Sequence, residues 1–500
     1  MLSQIDTIVM LMLENRSFDT MLGWLHSDRR SPINLIPSDS LPAHFDGIDC
    51  DRDVNWDGGR DGQWPYRPMY GSASLGLQRW RVPRQDPHEG MSDVQKQMYG
   101  DAFGIIADHN WGHPPMTGFA RDYASMLPPA IGEVMGAYTP DELPVLSGLA
   151  KNFAVSDRWF CSVPTETDPN RAFSLCGTSQ GKTTDLSRPF EYTAPTMFNG
   201  LNTGTKDWGI YYQTAVAGLP INSPRLTYTE VLFAEARAAL AERPSRGRID
   251  TYETFLQGLE TGDLPSFCYL EPTWGWGVHD PGSGRDFVGW QGNDYHPPTW
   301  VGPAEADLAA LYTAILSSRL WTNMLFIITF DEHGGTWDHV PPPEAANPDG
   351  LAGDTLAFAF TRLGPRVPTI LVSPFVKPNT VFRAPTESRT QFDHTSIIKT
   401  VLQWAGADPS FMASMGHRVN AAPTFDHVLT TDAVQPHPTM PTVPAHFDTQ
   451  PKKGPHGFDF DASMLTIFDH RAALAASSDL EGYIALLRDR ALGASPSSGR

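Results

Sequence analysis

The sequence predicts an α/β protein in which a mostly parallel sheet is wrapped by helices, and three observations point there. The apolar run Thr7–Leu13 stops abruptly at Glu14 and Asn15, a second run, MLFIITF, stops at Asp331 and Glu332, and amphipathic helical stretches alternate with further apolar runs between and after them. A strand buried on both faces reads as such a continuous apolar run, and parallel strands need long crossovers, usually helical.

Each element follows from its local pattern. Thr7–Leu13 is a buried central strand that delivers Glu14 and Asn15 at its carboxyl end, where α/β enzymes place their chemistry. Residues 30–100 are rich in Pro, Gly, Asp and Arg with weak periodicity, so they are expected to form an insertion of loops and short elements that could line a substrate cleft. DELPVLSGLAKNF reads as a helix with Asp141 near its start, and NFAVSDRWFCS as a strand that leads through PTETDPNR into another helix. Trp208–Gln213 and Ser266–Leu270 read as strands, ADLAALYTAILSSRLW as a long amphipathic helix, and MLFIITF as the second buried strand. VPTILVSPFV supplies a further strand and HTSIIKTVLQWAG a helix that stops at Gly406. A catalytic domain over residues 1–430 is expected, followed by a surface wrap and a docked helix, DLEGYIALLRDRAL, within residues 431–500.

Composition narrows the class. The chain is 40% hydrophobic and 19% charged, a globular profile, and 57 acidic against 37 basic residues leave a net charge of −20 that repels a polyanion, so no nucleic-acid partner is expected. Four cysteines without a C-x-x-C pair indicate neither a zinc cluster nor a disulfide framework. The amino-terminal apolar run is too short for a signal or a membrane span, which leads to the expectation of a cytoplasmic chain with no transmembrane segment.

The two strand exits carry the first chemical signal. If the strands are neighbours in one sheet, Glu14, Asn15, Asp331 and Glu332 converge and offer hard oxygen ligands to one divalent ion, Ca²⁺, Mg²⁺ or Mn²⁺. Thr167-Asp168-Pro169 is the second signal. Asp168 suits a helix cap and Pro169 the first helical position, so a Thr167 hydroxyl at that start sits among free amides, where a metal on the same oxygen would make it a nucleophile. Thr165, two residues earlier, is a rival hydroxyl; the helix start favours Thr167. Arg171 is a candidate phosphate contact, with Asn170 beside it. Histidines in Gly-, Trp- or Pro-rich turns (His109, His113, His296, His333, His339 and His394) are candidates to protonate a leaving group or bind phosphate, with His296 and His339 the first choices for catalysis and His333 for substrate binding. His44, His88 and the histidines after residue 416 are expected to be surface residues.

With these segments in view, the chain resembles the phosphoesterase family that includes bacterial acid phosphatases and non-haemolytic or plant non-specific phospholipases C. The resemblance rests on ENRSFD at Glu14–Asp19, the DHNW stretch, T-x-P-N-R at Thr167–Arg171, NDYHPP, DEHGG-x-WDHVPPP, and GPRVPTILVSPFV followed by FDHTSIIK, in the family's order over roughly residues 5–405. It implies an alkaline-phosphatase-like three-layer α/β/α sandwich. It further implies one metal held by Glu14, Asn15, Asp331, Glu332 and Thr167, a covalent phosphothreonine, and histidines around the phosphate that match His109, His296 and His339. The expected substrate is a phosphate mono- or diester, a phospholipid headgroup included. The segment DHNWGHPPMTGF departs from the family by being shortened and by carrying Thr117 where the family has Asp. The alternatives are the same site used for phosphoryl or sulfuryl transfer, or a non-hydrolytic binding protein on the same scaffold. Nothing in the sequence indicates an oligomeric state.

Overall fold

The computed structural model describes residues 2–27, 33–56, 65–71, 82–100, 113–126, 128–185, 191–213, 215–216, 219–220, 227–280, 285–290 and 292–430. Two expectations, His109 with its DHNW stretch and the wrap and helix of 431–500, lie outside the described residues.

Nine strands form the main sheet: β1 (Thr7–Leu13), β2 (Asn34–Ile36), β3 (Ala154–Ser156), β4 (Trp208–Tyr212), β5 (Gly247–Thr251), β6 (Phe267–Glu271), β7 (Met324–Phe330), β8 (Thr369–Val372) and β9 (Thr380–Phe382). Their spatial order is β5-β4-β6-β1-β7-β8-β3-β9-β2. All neighbours run parallel except β8, which is antiparallel to both β7 and β3. Every residue of β1 and β7 is buried, as strands covered on both faces must be. The segment expected as an insertion is not wholly outside the sheet, because β2 joins its edge.

Helices pack in two groups. In one, Val301–Ser317 lies against Pro144–Asn152 and Tyr252–Thr261; in the other, Thr395–Trp404 lies against Thr167–Cys176 and Met197–Thr203. With the central strands buried on both sides, these groups are the outer layers of an α/β/α sandwich. One apolar core links residues from Ile5 to Leu429. Among the described residues, no helix is long and apolar enough to cross a membrane.

Two helix starts differ from expectation. The helix expected near Asp141 begins at Pro144, and its Val145 and Leu146 amides donate to the buried Glu305 carboxylate at 2.6 and 3.1 Å, a cap supplied from Val301–Ser317 rather than by the preceding residues. The second, Thr167–Cys176, starts at Thr167 with Glu166 before it, so Asp168 and Pro169 sit inside the first turn. Proline is tolerated there because none of the first four amides has a helical partner. The N-cap position is Glu166 rather than Asp168, whose carboxylate accepts from the Tyr228 hydroxyl.

Candidate active site

The register of β1 and β7 sets the site. Leu13 stands beside Phe330, so Glu14 and Asp331 leave the sheet side by side, and the Asp331 amide still donates to the Leu13 carbonyl at 3.1 Å. Asn15 follows with φ of 55°, a left-handed conformation that Asn tolerates better than most residues, and its amide donates to Asp331 Oδ1 at 3.0 Å. Gly334 allows this close turn: it has φ of 60°, and a Cβ there would lie 2.1 Å from the Asn15 carbonyl oxygen.

Thr167 comes to these residues from the first turn of its helix. Its Oγ1 lies 3.1 Å from Glu14 Oε2 and 3.1 Å from Asn15 Oδ1, and its exposure is 9%. Thr165, the rival, is fully buried and donates to the Thr183 carbonyl. The structure therefore brings together Glu14, Asn15, Asp331 and Thr167.

Arg171, one turn further along the helix, has a different place from the substrate contact expected of it. Its guanidinium is buried, with Nη2 2.8 Å from Glu14 Oε1, Nε 3.1 Å from Asp331 Oδ2, and its carbon 4.5 Å from the Trp274 ring centre. Burial works against its charge, but Glu14 and Asp331 hold its pKa well above the ordinary value. Arg171 thus neutralises the two acids from behind. Asn170 is likewise withdrawn from any substrate: its side chain bonds the Val163 amide and carbonyl and the Thr165 and Glu166 carbonyls, fixing the loop that presents Thr167.

Glu332 points elsewhere than Asp331. Its Oε2 accepts from the Gly334 amide at 2.8 Å, while Oε1 is buried without a hydrogen-bond partner. Burial, then Asp331, pushes its carboxyl well above the usual range; for Glu14, burial and Asp331 do the same against the opposing Arg171. His333, expected at the substrate, is fully buried beneath Glu332, bonded through Nε2 to Gln97 at 2.9 Å, and burial lowers its pKa to about 3. It is a neutral packing partner.

His296 does reach the site. Asn15 Nδ2 lies 2.8 Å from His296 Nε2, and His296 Nδ1 lies 2.5 Å from the Pro297 carbonyl, so the ring holds its proton on Nδ1 and accepts on Nε2. His339 does not: its contacts are Asp19 at 2.6 Å, Asp46 at 3.4 Å and Arg366 at 3.3 Å, an ion cluster apart from Thr167. Burial opposes its charge, but Asp19 and Asp46 raise its pKa to about 10, so it is a structural cation rather than a proton carrier near neutrality.

Two residues were missed in the sequence. Glu89 Oε1 accepts from Asn15 Nδ2 at 2.7 Å, and Asp86 Oδ2 lies 3.7 Å from His296 Nδ1. Both fall in the stretch read as an insertion, and the only local signal was the acid-His-acid pattern of DPHEG. His88 between them is partly exposed and turned toward Asp122, 3.4 Å away.

A divalent cation suits this donor set. Glu14, Asn15, Thr167, Asp331 and Glu332 offer hard oxygens, and the orphaned Glu332 Oε1 is a buried acceptor that a cation would satisfy. The convergence is loose as it stands, with Arg171 between Glu14 and Asp331. Among the described residues, the groups whose three ligand atoms come within 4.8 Å of one another are Asp86-Glu89-His296, Asp19-Asp338-His339 and His88-Asp93-Asp122.

A family model described as the phosphoesterase family matches residues 5–406. Non-specific phospholipase C4 of Arabidopsis thaliana is 31% identical over 86% of this chain and 72% of its own length. Non-specific phospholipase C6 of the same plant is 31% identical over 93% and 80%. Phospholipase C A of Mycobacterium tuberculosis is 26% identical over 80% and 72%. Among solved structures, a protein in the alkaline phosphatase superfamily from Vibrio parahaemolyticus aligns over 69% of this chain and 81% of its own, with 12% identity and a TM-score of 0.30.

Proposed function

This chain belongs to the phosphoesterase family and is a hydrolase acting on phosphoric ester bonds, and from that premise we propose that it cleaves a phosphate diester of the phospholipase C kind, or a related phosphate ester, through a covalent intermediate on Thr167. The observation that carries the reading is the Thr167 hydroxyl on the first turn of a ten-residue helix, 3.1 Å from both Glu14 Oε2 and Asn15 Oδ1.

In the proposed sequence, Thr167 Oγ1 forms a bond to phosphorus as the bond from phosphorus to the alcohol oxygen breaks in line behind it. Glu14 Oε2, to which the hydroxyl already donates, is the acceptor through which its proton leaves. Arg171, paired with both Glu14 and Asp331, holds the two carboxyl groups in place. The leaving oxygen takes a proton from a water and departs as the alcohol; the hydroxide so formed then attacks phosphorus and breaks the bond to Thr167 Oγ1, which takes its proton back from Glu14. A divalent cation, when bound, would be held by Glu14, Asn15, Asp331, Glu332 and Thr167 and would supply positive charge to lower the hydroxyl pKa and offset charge on the phosphate.

The test is a panel of aryl phosphate mono- and diesters and phosphatidylcholine vesicles, run with Ca²⁺, Mg²⁺ or Mn²⁺ on wild type and Thr167→Ala, with mass spectrometry of rapidly quenched enzyme. Activity lost in Thr167→Ala and a phosphate adduct on the Thr167 peptide are expected. Full activity in the variant would sink the mechanism.

A further inference from the structure

The backbone leaves the Asn15 side chain little freedom. Its amide donates to Asp331 Oδ1 at 3.0 Å, and a Cβ at Gly334 would lie 2.1 Å from its carbonyl oxygen, so the residue is held on both sides. What stays open is the rotation of the terminal amide, which decides whether its nitrogen or its oxygen faces Thr167. Asn15 is only 1% exposed, so each polar atom of that amide needs a partner inside the protein.

Two acceptors on one side fix the rotation. Asn15 Nδ2 lies 2.7 Å from Glu89 Oε1 and 2.8 Å from His296 Nε2. The imidazole accepts there because its proton sits on Nδ1, 2.5 Å from the Pro297 carbonyl. An amide nitrogen carries two hydrogens, so this pair uses both, and Oδ1 is left to face Thr167 Oγ1 at 3.1 Å. The reversed amide would set an oxygen against two acceptors in a buried place, a costly arrangement.

Each acceptor is itself anchored. Glu89 stands directly before Gly90, the cap of the Met91–Tyr99 helix. Gln97 on that helix donates to the His88 carbonyl at 2.7 Å, and Met91 packs with Val163 and with Phe173 of the Thr167 helix. His296 belongs to a turn stitched to the residues on either side of Asn15: the Glu14 amide donates to the Asp294 carbonyl at 2.9 Å, and Arg16 Nε to the Tyr295 carbonyl at 2.7 Å. Tyr295 holds φ of 70°, a conformation that a bulky residue keeps only where its surroundings impose it.

We propose that Glu89 and His296 are positioning residues for the hydrolysis: acting together on Nδ2, they lock the Asn15 amide with its oxygen toward Thr167. They act through Asn15, as outer partners that orient a ligand do. The proposal rests on the reading of Thr167 as the reacting group and adds what orients the residue beside it.

The experiment is a double-mutant cycle in the full chain. Glu89→Met, Asn15→Ala and the double variant are read by the Kd of Mn²⁺ from isothermal titration calorimetry and, separately, by kcat/KM on an aryl phosphate ester. Glu89→Met should weaken Mn²⁺ and lower kcat/KM by about 10- to 100-fold, yet change neither further in the Asn15→Ala background. Glu89→Gln, which keeps an oxygen acceptor, should regain most of the loss. His296→Met and His296→Gln repeat the comparison at the other acceptor and stand in if Glu89→Met does not fold. Equal losses in both backgrounds, no loss in wild type, or a Glu89→Gln variant no better than Glu89→Met would overturn the proposal. If wild type binds no Mn²⁺, the cation reading falls and the cycle in kcat/KM decides. If Thr167→Ala keeps full activity, the nucleophile reading falls, while coupling of Glu89 to Asn15 in the Mn²⁺ Kd still upholds the locked amide.

Discussion

Thr167 and Thr165 stand two residues apart yet spend their hydroxyls in different places: Thr167 Oγ1 lies 3.1 Å from Glu14 Oε2 and Asn15 Oδ1, while Thr165 Oγ1 donates to the Thr183 carbonyl at 2.6 Å. Thr167→Ala should lower kcat/KM on an aryl phosphate ester by about 10³-fold or more, the scale of losing a nucleophile. Thr165→Ala should keep kcat/KM within about tenfold and cost about 1 kcal/mol of stability for the lost hydrogen bond. Steady-state kinetics and urea unfolding of both variants check the pair, and equal losses of activity would contradict the assignment.

Arg171 bridges Glu14 and Asp331 with its guanidinium buried. Removing it in Arg171→Met strands two buried carboxylates, a change expected to cost about 3–5 kcal/mol. A divalent cation can replace part of the missing charge, so the rise in Tm on adding Mn²⁺ should be larger in the variant than in wild type. Equal rises in differential scanning calorimetry would argue against a cation at these oxygens.

Gly334 and Gly350 both hold positive φ, at 60° and 82°, but their surroundings differ. A Cβ at Gly334 would press within 2.1 Å of the Asn15 carbonyl oxygen, whereas at Gly350 it meets nothing within 4 Å. Gly350→Ala should cost only about 1 kcal/mol of backbone strain. Gly334→Ala should cost more than twice that and also lower activity at least about tenfold, because Asn15 must shift. Chemical denaturation and kinetics of the two variants provide the comparison.

His339 carries its charge inside an ion cluster, with a pKa raised from 6.5 to about 10 by Asp19 and Asp46 against the effect of burial. A raised folded-state pKa means that the contribution is whole below pH 6.5, shrinks above it and is gone once pH passes about 10. His339→Asn should therefore be destabilised by a few kcal/mol, on the order of that shift, at pH 6, with the gap to wild type closing toward pH 10. Its kcat/KM at pH 7 should stay within about tenfold of wild type, since His339 does not touch Thr167. Unfolding free energies across pH 5–10 test the sign, and a gap that widens with pH would refute it.

Metal removal offers a check that needs no variant. A cation that binds the folded site but not the unfolded chain adds about 2.7 kcal/mol at a concentration of 100 times its Kd. Chelation should thus lower Tm and abolish hydrolysis, and the restoring cation should recover both over the same concentration range. Activity unchanged after exhaustive chelation would exclude metal dependence.

Much of the framework is written locally. Thr7–Leu13 and Met324–Phe330 are continuous apolar runs of seven residues, and such runs with polar residues at their ends identify buried strands and the edge where chemistry sits, whatever the rest of the chain does. Helix starts were less legible. Glu305 caps the Val145 and Leu146 amides from 160 and 159 residues away, a partner that no local pattern around Asp141 can reveal.

The sequence by itself determined which residues could do chemistry: two strand exits ending in Glu14-Asn15 and Asp331-Glu332, and a threonine at a helix start. Tertiary structure alone decided how they are used. Asn15 meets Asp331 across 316 residues, Arg171 turns inward to the acids instead of outward to a substrate, His339 joins a distant ion cluster, and Asp86 and Glu89 come in from a stretch that looked like loop. The reason is physical. Periodicity reports only whether a side chain is buried, whereas the role of a buried charge is set by the opposite charges that folding places within a few ångströms of it.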